Sequence, residues 1–382
     1  MDVDGNEYVD YALGFGPLLL GHSPQVVLEA VRRQLDFGLG YGASHRLEAD
    51  LAEAVCRTVP SAELAVFSNT GSEAVHAAIR IARAATGRNR VIKFLGHYDG
   101  WYDSIHVGVP PQSEPGPGTG GQDPGAVASL TVCRWNDVDA LESTLGDDVA
   151  AVIMEPLNVN GGCIAPAPGY LQRARELTRA NGSVLIFDEV ITGYRLALGG
   201  AQERYGVTPD LTVLGKALGA GFVISAVCGA AEVMEVVADG RMAHVGTFNA
   251  NPVCAAAALA AITWLEANRR DVYPALETNA RALAGILVDE SAAVGVQLQV
   301  NQDVGTMCAF VADHPLPSYE ATLAADAAGY RVFAQGLLEN GMHVIPRGLL
   351  YLSTEHGAEE LDLARGSVAA AAASYALQAR GV

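Results

Sequence analysis

SVLIFDEVITGYRLALGGAQERYGVTPDLTVLGKALGAG, residues 183–221, holds two apolar runs that each end in a reactive group. The first stops at Asp188 and Glu189. The second, Asp210 through Leu214, leads into Lys216, 28 positions after Asp188. Strands covered by helices on both faces read as continuous apolar runs rather than alternating ones. In open α/β sheets the chemistry gathers just beyond the carboxyl ends of such strands. An acid and an amine are therefore expected at one sheet edge. Lysine is seldom buried unless paired, and an apolar setting such as Leu214, Gly215, Ala217 and Leu218 makes the amine a nucleophile toward carbonyls. The competing reading is a loop lysine with a packed stem and a hydrated head. The rest of the chain decides between them.

Outward from this stretch, strands and helices alternate. LEADLAEAVCRTV reads as a helix, ELAVFSN as a strand and EAVHAAIRIARAATG as a helix. RVIKFL, LTVCRW and VAAVIME read as strands, and APGYLQRARELTRANG as a helix. That alternation implies a mainly parallel sheet with helices on both faces. Residues 1–40 read as a strand pair turning at Asp4-Gly5. A helix follows, with Ser23 as N-cap and Pro24 as its first residue. After a helix near 251–268 the arrangement becomes α+β: strands VGVQLQV, TMCAFVAD and MHVIP, and helices from Ala325 and Ala358. The expected fold class is thus α/β, with a large three-layer α/β/α domain over 41–255. Residues 1–40 and 256–382 would form a small α+β domain from both termini. The Pro- and Gly-dense segment 107–130 is expected to be a lid or a disordered loop. Its GPGTGG (116–121) matches a dinucleotide fingerprint in letters only, because no strand precedes it and no helix follows.

Composition narrows the function. The chain has 382 residues, 50% hydrophobic and 18% charged, with a formal net charge of −19. That is a well-buried globular composition and disfavours a nucleic-acid partner. No apolar run reaches membrane-spanning length. The six cysteines (56, 133, 163, 228, 254, 308) are scattered without metal or redox spacing. Reduced core thiols and a cytoplasmic location are expected, and no metal site.

Three further turns each follow a strand. Asn69-Thr70-Gly71-Ser72-Glu73-Ala74 opens a helix, whose N-terminal N–H groups and dipole suit a phosphate. Gly71 would allow close approach and Ser72 would add a hydroxyl; simple N-capping by Ser72 is the competing reading. HYDGWYDS (97–104) offers Tyr98 to stack on a flat ring or to plug the core. MEPLNVNGG (154–162) ends a strand at Glu155 and carries Asn160 in the loop. A phosphate cradle, an aromatic face, a carboxylate and a lysine at one edge fit pyridoxal 5'-phosphate (PLP). Its aldehyde needs a lysine, and its ring nitrogen needs a carboxylate to stay protonated.

The chain resembles the class III aminotransferases of fold type I, and most closely their glutamate-1-semialdehyde aminomutase and β-amino-acid aminotransferase branch. The matching text is DVDGNEYVDYALGFGPLLLGH, SNTGSEAVHAAIRIARAATGRNRVIKF, HYDGWYD, MEPLNVNGG, FDEVITGYRLALGGAQERYGVTPDLTVLGKALGAG and GTFNANP. The resemblance implies a PLP enzyme working as a homodimer with shared active sites. It implies Lys216 as the lysine that forms a Schiff base and Asp188 as partner of the ring nitrogen. Val190 would lie on one ring face and Tyr98 on the other. Gly71 and Ser72 would bind the phosphate, Asn160 would lie near the ring 3-hydroxyl, and Thr247 would reach the phosphate of the neighbouring subunit. The sequence departs from the family in three places. Asp99 stands where the family has a histidine. The family's preceding N-terminal segment, with an arginine for the substrate carboxylate, is expected to be missing. The lid region lacks the aminomutase-like Gly-Ser-Gly, and these last two departures count against an aminomutase.

The activity expected first is an aminotransferase that moves an amino group between an amino acid or amine and a keto acid or aldehyde by a ping-pong route. Its substrates would include β-amino acids. Arg347, in VIPRGLLYLS, would then bind the substrate carboxylate through its planar fork; Arg46 and Arg195 are weaker candidates. The alternatives are a PLP-dependent isomerase, either an aminomutase or a racemase, and a catalytically silent PLP-binding protein.

Overall fold

In the computed structural model, which describes residues 1–379, contacts group the chain into two units. One holds Met1–Gly21, Val159–Ile164 and the chain from Arg270 onward; the other holds His22–Asn158 and Ala165–Arg269. The chain opens with β1 (Val9–Asp10), then α1 (Gln25–Leu35) and α2 (Arg46–Thr58). The alternating part follows: β2 (Leu64–Ser68), α3 (Gly71–Thr86), β3 (Arg90–Phe94), β4 (Leu130–Cys133), α4 (Val138–Thr144), β5 (Val149–Met154), α5 (Tyr170–Asn181), β6 (Val184–Glu189), α6 (Gly200–Tyr205), β7 (Leu211–Leu214), β8 (Ser225–Gly229) and α7 (Ala231–Ala238).

Strands β2 to β8 form one seven-stranded sheet in the order β2-β8-β7-β6-β5-β3-β4. From β7 to β4 every pairing is parallel. Strand β8 runs against both β7 and β2. The two reversals cancel, so β2, β3, β5, β6 and β7 present their carboxyl ends at one edge. Every residue of β5, β6 and β7 is buried, as the continuous apolar runs require. Helix α3 contributes Ala74, Ala78, Ile81 and Ala82 to the same core cluster as Ala151, Ile153, Ile186 and Val213. Truncating Ile186 to alanine there would cost about 2–5 kcal/mol.

The other unit holds a three-stranded antiparallel sheet of β9 (Leu298–Asp303), β10 (Thr306–Val311) and β12 (Leu349–Tyr351), with β10 central. It also holds α9 (Tyr319–Thr322), α10 (Ala327–Glu339), β11 (Met342–His343) and α11 (Ala358–Ala379). The loop 159–164 is stitched into this unit: Gly162 O accepts from Asn301 Nδ2 at 3.1 Å and Gly161 O from Thr322 Oγ1 at 3.2 Å.

Several local expectations change. No hairpin forms at Asp4-Gly5. The Asp2 carboxylate instead accepts the N–H groups of Asp4 and Asn6, both at 2.9 Å, an Asx-type loop. Strand β1 pairs in parallel with β11. Pro24 is the N-cap of α1 rather than its first residue, and no side chain caps that end. The helix near 251–268 is the first half of α8 (Pro252–Ala292), 41 residues with Pro274 inside. Its alanine-rich run contains no glycine before Gly285, so helix propensity carries it past the expected border. The contact-defined borders accordingly fall after Gly21 and Arg269 rather than at 40 and 255. Residues 107–130 contain an isolated bridge, Val107 to Pro117, and are tied back by Gln122 Nε2 to His106 O at 3.0 Å and Asp123 N–H to Asp103 Oδ2 at 3.0 Å. Among the described residues no helix is long and apolar enough to cross a membrane.

Candidate active site

The pleat sends adjacent side chains to opposite faces, and the end of β6 uses this to separate two carboxylates. Glu189 is fully buried and accepts from Thr192 Oγ1 at 2.9 Å, Gln202 Nε2 at 3.0 Å and the Ala201 N–H. Burial pushes its carboxyl up, and these donors pull it back. Glu189 therefore fastens the chain around α6. Asp188 faces the other way and is also buried. Its Oδ1 accepts the Val190 N–H at 3.0 Å. Its carboxyl is pushed well above the usual range by burial first, then by Asp99, then by Glu155; the Val190 N–H and Lys216 oppose the shift. A buried acid among like charges is the place for a cationic ligand group.

Lys216 follows β7, whose Val213 is the register partner of Asp188. It has φ 43, a left-handed conformation that a non-glycine residue holds only where its surroundings impose it. The whole chain contains two lysines, Lys93 and Lys216, against 22 arginines. An amine nucleophile is the one task arginine cannot take over.

The phosphate turn carries a result that differs from simple capping by Ser72. The N-cap of α3 is Thr70, in a capping box with Glu73. Glu73 Oε2 also accepts the N–H groups of Asn69 at 3.1 Å and Thr70 at 2.7 Å. The N–H groups of Gly71 and Ser72, with the Ser72 hydroxyl, lie outside that box at the positive end of a 16-residue helix. A Cβ on Gly71 would come to 3.1 Å of Val190 Cγ2, and one on Gly215 to 3.3 Å of Val190 Cγ1. Val190 is thus wedged between the phosphate turn and the residue before Lys216. Gly100, at φ +114, brings the loop after β3 against Ser72, where a Cβ would meet Ser72 Oγ at 3.0 Å.

Tyr98 keeps its ring partly exposed, at 39%. Its N–H donates to Glu155 Oε1 at 2.8 Å, so the carboxylate ending β5 holds the Tyr98 backbone. The phenol is pushed up by burial and by Asp188. Gly71, Ser72, Tyr98, Asp188, Val190 and Lys216 all lie in the unit of the large sheet, where these contacts link them. Thr247 is exposed in the same unit, between exposed Val245 and Phe248. Its loop is anchored by Asn69 Nδ2 donating to Asn249 Oδ1 at 3.3 Å. A cavity of about 490 Å³ opens beside α3, lined among others by Ser72, His76, Trp101, His244 and Asn249. Neither Asp188 nor Lys216 lines it.

Asn160 and Arg347 belong to the other unit. Arg347, exposed in its Pro-Arg-Gly turn, donates to Asn160 Oδ1 at 2.9 Å and Asn160 O at 3.2 Å. Arg46 is a surface residue paired with Asp50 at 2.6 Å, and Arg195 is fully buried; neither is presented to a ligand.

Sequence reasoning missed a buried polar cluster after β3. Lys93, His97 and Asp99 are all within 1% of complete burial. Lys93 Nζ lies 3.0 Å from Asp99 Oδ2 and donates to His97 O at 3.2 Å and Ile105 O at 3.1 Å. His97 Nδ1 accepts the Glu155 N–H at 2.9 Å, and burial, then Lys93, pushes its imidazole well down. The signal was a lysine inside the apolar run RVIKFL with an acid six positions on.

A family profile described as "Aminotransferase class-III" matches residues 1–355. Glutamate-1-semialdehyde 2,1-aminomutase of Persephonella marina is 40% identical over 373 residues, covering 94% of this chain and 86% of that protein. The crystal structure of an omega-transaminase from Sphaerobacter thermophilus has a TM-score of 0.92 at 36% identity, covering 98% of this chain and 89% of that one. That of a β-phenylalanine aminotransferase from Variovorax paradoxus has a TM-score of 0.87 at 30% identity, covering 100% and 85%.

Proposed function

Because the chain belongs to the class III aminotransferase family of PLP-dependent enzymes, we propose that it is an isomerase that moves an amino group between neighbouring carbons of one small amino aldehyde. The sequence alone puts aminotransferase first; the aminomutase relatives support the isomerase more strongly. The observation that carries the cofactor half of this reading is Asp188, a carboxyl buried at the end of β6 and raised first by that burial, then by Asp99 and Glu155.

PLP, when bound, supplies an aldehyde that condenses with amines and a ring that withdraws electrons from the adjacent carbon. The chain supplies the rest. The N-terminus of α3, with Gly71 and Ser72, holds the phosphate. Asp188 holds the proton on the ring nitrogen. Val190 and Tyr98 bracket the ring and exclude water from its faces, and Asn160 would hold the 3-hydroxyl. Lys216 Nζ is the amine that would hold the cofactor's aldehyde, and it would move a proton between the two substrate carbons. Thr247 from a second copy of the chain would complete the phosphate site, which makes a symmetric homodimer the working form. We place the reaction in the cytoplasm on the composition argument.

The second reading, an aminotransferase acting on an amino acid, β-amino acids included, is favoured by Arg347: an exposed guanidinium fork in a fixed turn suits a substrate carboxylate. A silent PLP-binding protein is disfavoured by the retained Asp188 and Lys216. The two active readings part on one experiment. Purified, PLP-loaded protein is given an amino aldehyde such as glutamate-1-semialdehyde with no keto acid present. The isomerase reading expects sustained conversion. Conversion that stalls after one equivalent and resumes on adding a keto acid would establish the aminotransferase instead.

A further inference from the structure

Tyr98, the exposed ring in the loop after β3, is held at two points. Its backbone N–H donates to Glu155 Oε1 at 2.8 Å. Its ring meets the imidazole of His106 edge to face, with centroids 5.8 Å apart and planes at 85°. Perpendicular rings at this spacing attract, because a positive edge meets a negative face. His106 Nδ1 lies 3.1 Å from Gly100 O. A carbonyl oxygen only accepts, so Nδ1 carries the hydrogen and donates it. That bond fixes the imidazole. It also ties His106 to Gly100, which has no Cβ to keep the loop off Ser72 in the phosphate turn.

The segment 107–130 closes on the same histidine. His106 O accepts the Gly118 N–H at 2.8 Å and Gln122 Nε2 at 3.0 Å. Gly118 packs against the imidazole itself: a Cβ there would stand 2.6 Å from His106 Nε2 and 2.8 Å from His106 O. Gly118 does not have a positive φ, so glycine is required there for space rather than for backbone freedom. A stretch dense in proline and glycine is thus fastened to one side chain, and that side chain braces Tyr98.

We infer that His106 is a positioning residue for the Tyr98 ring: clamped by Gly118 and Gln122, it holds that ring in one orientation before any ligand arrives. This rests on the PLP reading given above, in which Tyr98 covers one face of the cofactor ring. Ordering an aromatic side chain beforehand removes a cost that binding would otherwise carry. The segment 107–130 thereby acts on cofactor affinity through one histidine.

The test is a double-mutant cycle read by PLP affinity. Cofactor-free protein is titrated with PLP and followed by the visible absorbance of lysine-held PLP. His106→Leu should weaken binding about two- to tenfold, the scale of one aromatic contact. His106→Phe keeps a ring beside Tyr98 and should recover most of that loss. In a Tyr98→Ala background His106→Leu should change nothing further, because the ring it acts through is gone. Gly118→Ala crowds the imidazole and leaves both aromatic residues in the chain. It should weaken binding in the same range, again only when Tyr98 is present, and it carries the cycle if His106→Leu does not fold. Losses that persist in full in the Tyr98→Ala background would overturn the inference while leaving the cofactor reading intact. So would wild-type affinity in both His106→Leu and Gly118→Ala, or a loss in His106→Phe as large as in His106→Leu. Wild type that takes up no PLP would overturn both.

Discussion

Asp188 and Glu189 leave the same strand end and are sent to opposite faces of the sheet, where they meet opposite surroundings. Around Glu189, a hydroxyl, a side-chain amide and two backbone N–H groups converge. Around Asp188, the acids Asp99 and Glu155 outweigh the opposing amine of Lys216. Burial pushes both carboxyls up. Only at Glu189 do several neutral donors answer it. A buried acid with its donors in place is a structural fastening. One set among other acids favours a cation beside it, the place that the proposed function gives to the ring nitrogen of the cofactor. The difference separates two residues that a pattern search would treat as a pair.

The comparison can be broken most severely at the amine. Lys216→Ala should abolish the visible absorbance of lysine-held PLP and lower turnover by about 10⁴-fold or more, measured by steady-state assay with excess PLP. Turnover near the wild-type rate would remove Lys216 from the chemistry.

The two acids themselves come next. Asp188→Asn should lower kcat by roughly 10²- to 10³-fold, as for loss of one electrostatic partner. Its effect on the cofactor-free protein should have the reverse sign. In cofactor-free wild type the folded state holds the Asp188 proton more tightly than the unfolded chain does. Between the ordinary carboxylate value of 3.8 and the raised folded value, the folded state therefore binds the extra proton and stability falls as pH rises. Cofactor-free Asp188→Asn should consequently melt a few degrees higher than cofactor-free wild type at neutral pH, on the order expected for small stability changes. The gap should close as the pH falls toward 3.8. Glu189→Gln should instead lose about 1–3 kcal/mol with or without cofactor, because donors aimed at a carboxylate would face an amide. Equal signs for the two variants would dissolve the contrast.

Arg347 sharpens it from the other unit. If it anchors a substrate carboxylate, Arg347→Ala should lower kcat/KM for carboxylate substrates by about 2–3 kcal/mol, roughly thirty- to two-hundredfold. A matched amine without a carboxylate should be nearly unaffected. Equal losses on both would assign Arg347 to holding Asn160 in place. The smallest effect belongs to Thr247→Ala: PLP affinity should fall by about 1 kcal/mol, and only in dimeric protein, read by PLP titration across a dilution series.

The parallel sheet was legible because burial on both faces writes itself as unbroken apolar runs, as in SVLIF and VAAVIM, with the candidate site residues just past their ends. What escaped were features set by tertiary partners. The true cap of α3 was hidden because Thr70 and Ser72 are both good capping residues, and only the Glu73 geometry separates them. The pairing of β1 with β11 joins residues 332 or more positions apart and overrides the local hairpin signal at Asp4-Gly5. The course of α8 through Pro274 was read as a shorter helix because proline usually ends one. The Lys93–Asp99 pair stayed unseen because a strand lysine looks like an edge residue until its burial is known.

The account turns on which lysine carries the cofactor, and a chain with only Lys93 and Lys216 makes that a two-way choice. PLP-loaded protein is reduced with borohydride, digested and mapped by mass spectrometry. One phosphopyridoxyl group per chain, on the peptide containing Lys216, is the predicted result. A label on Lys93, or no label at all, would contradict it.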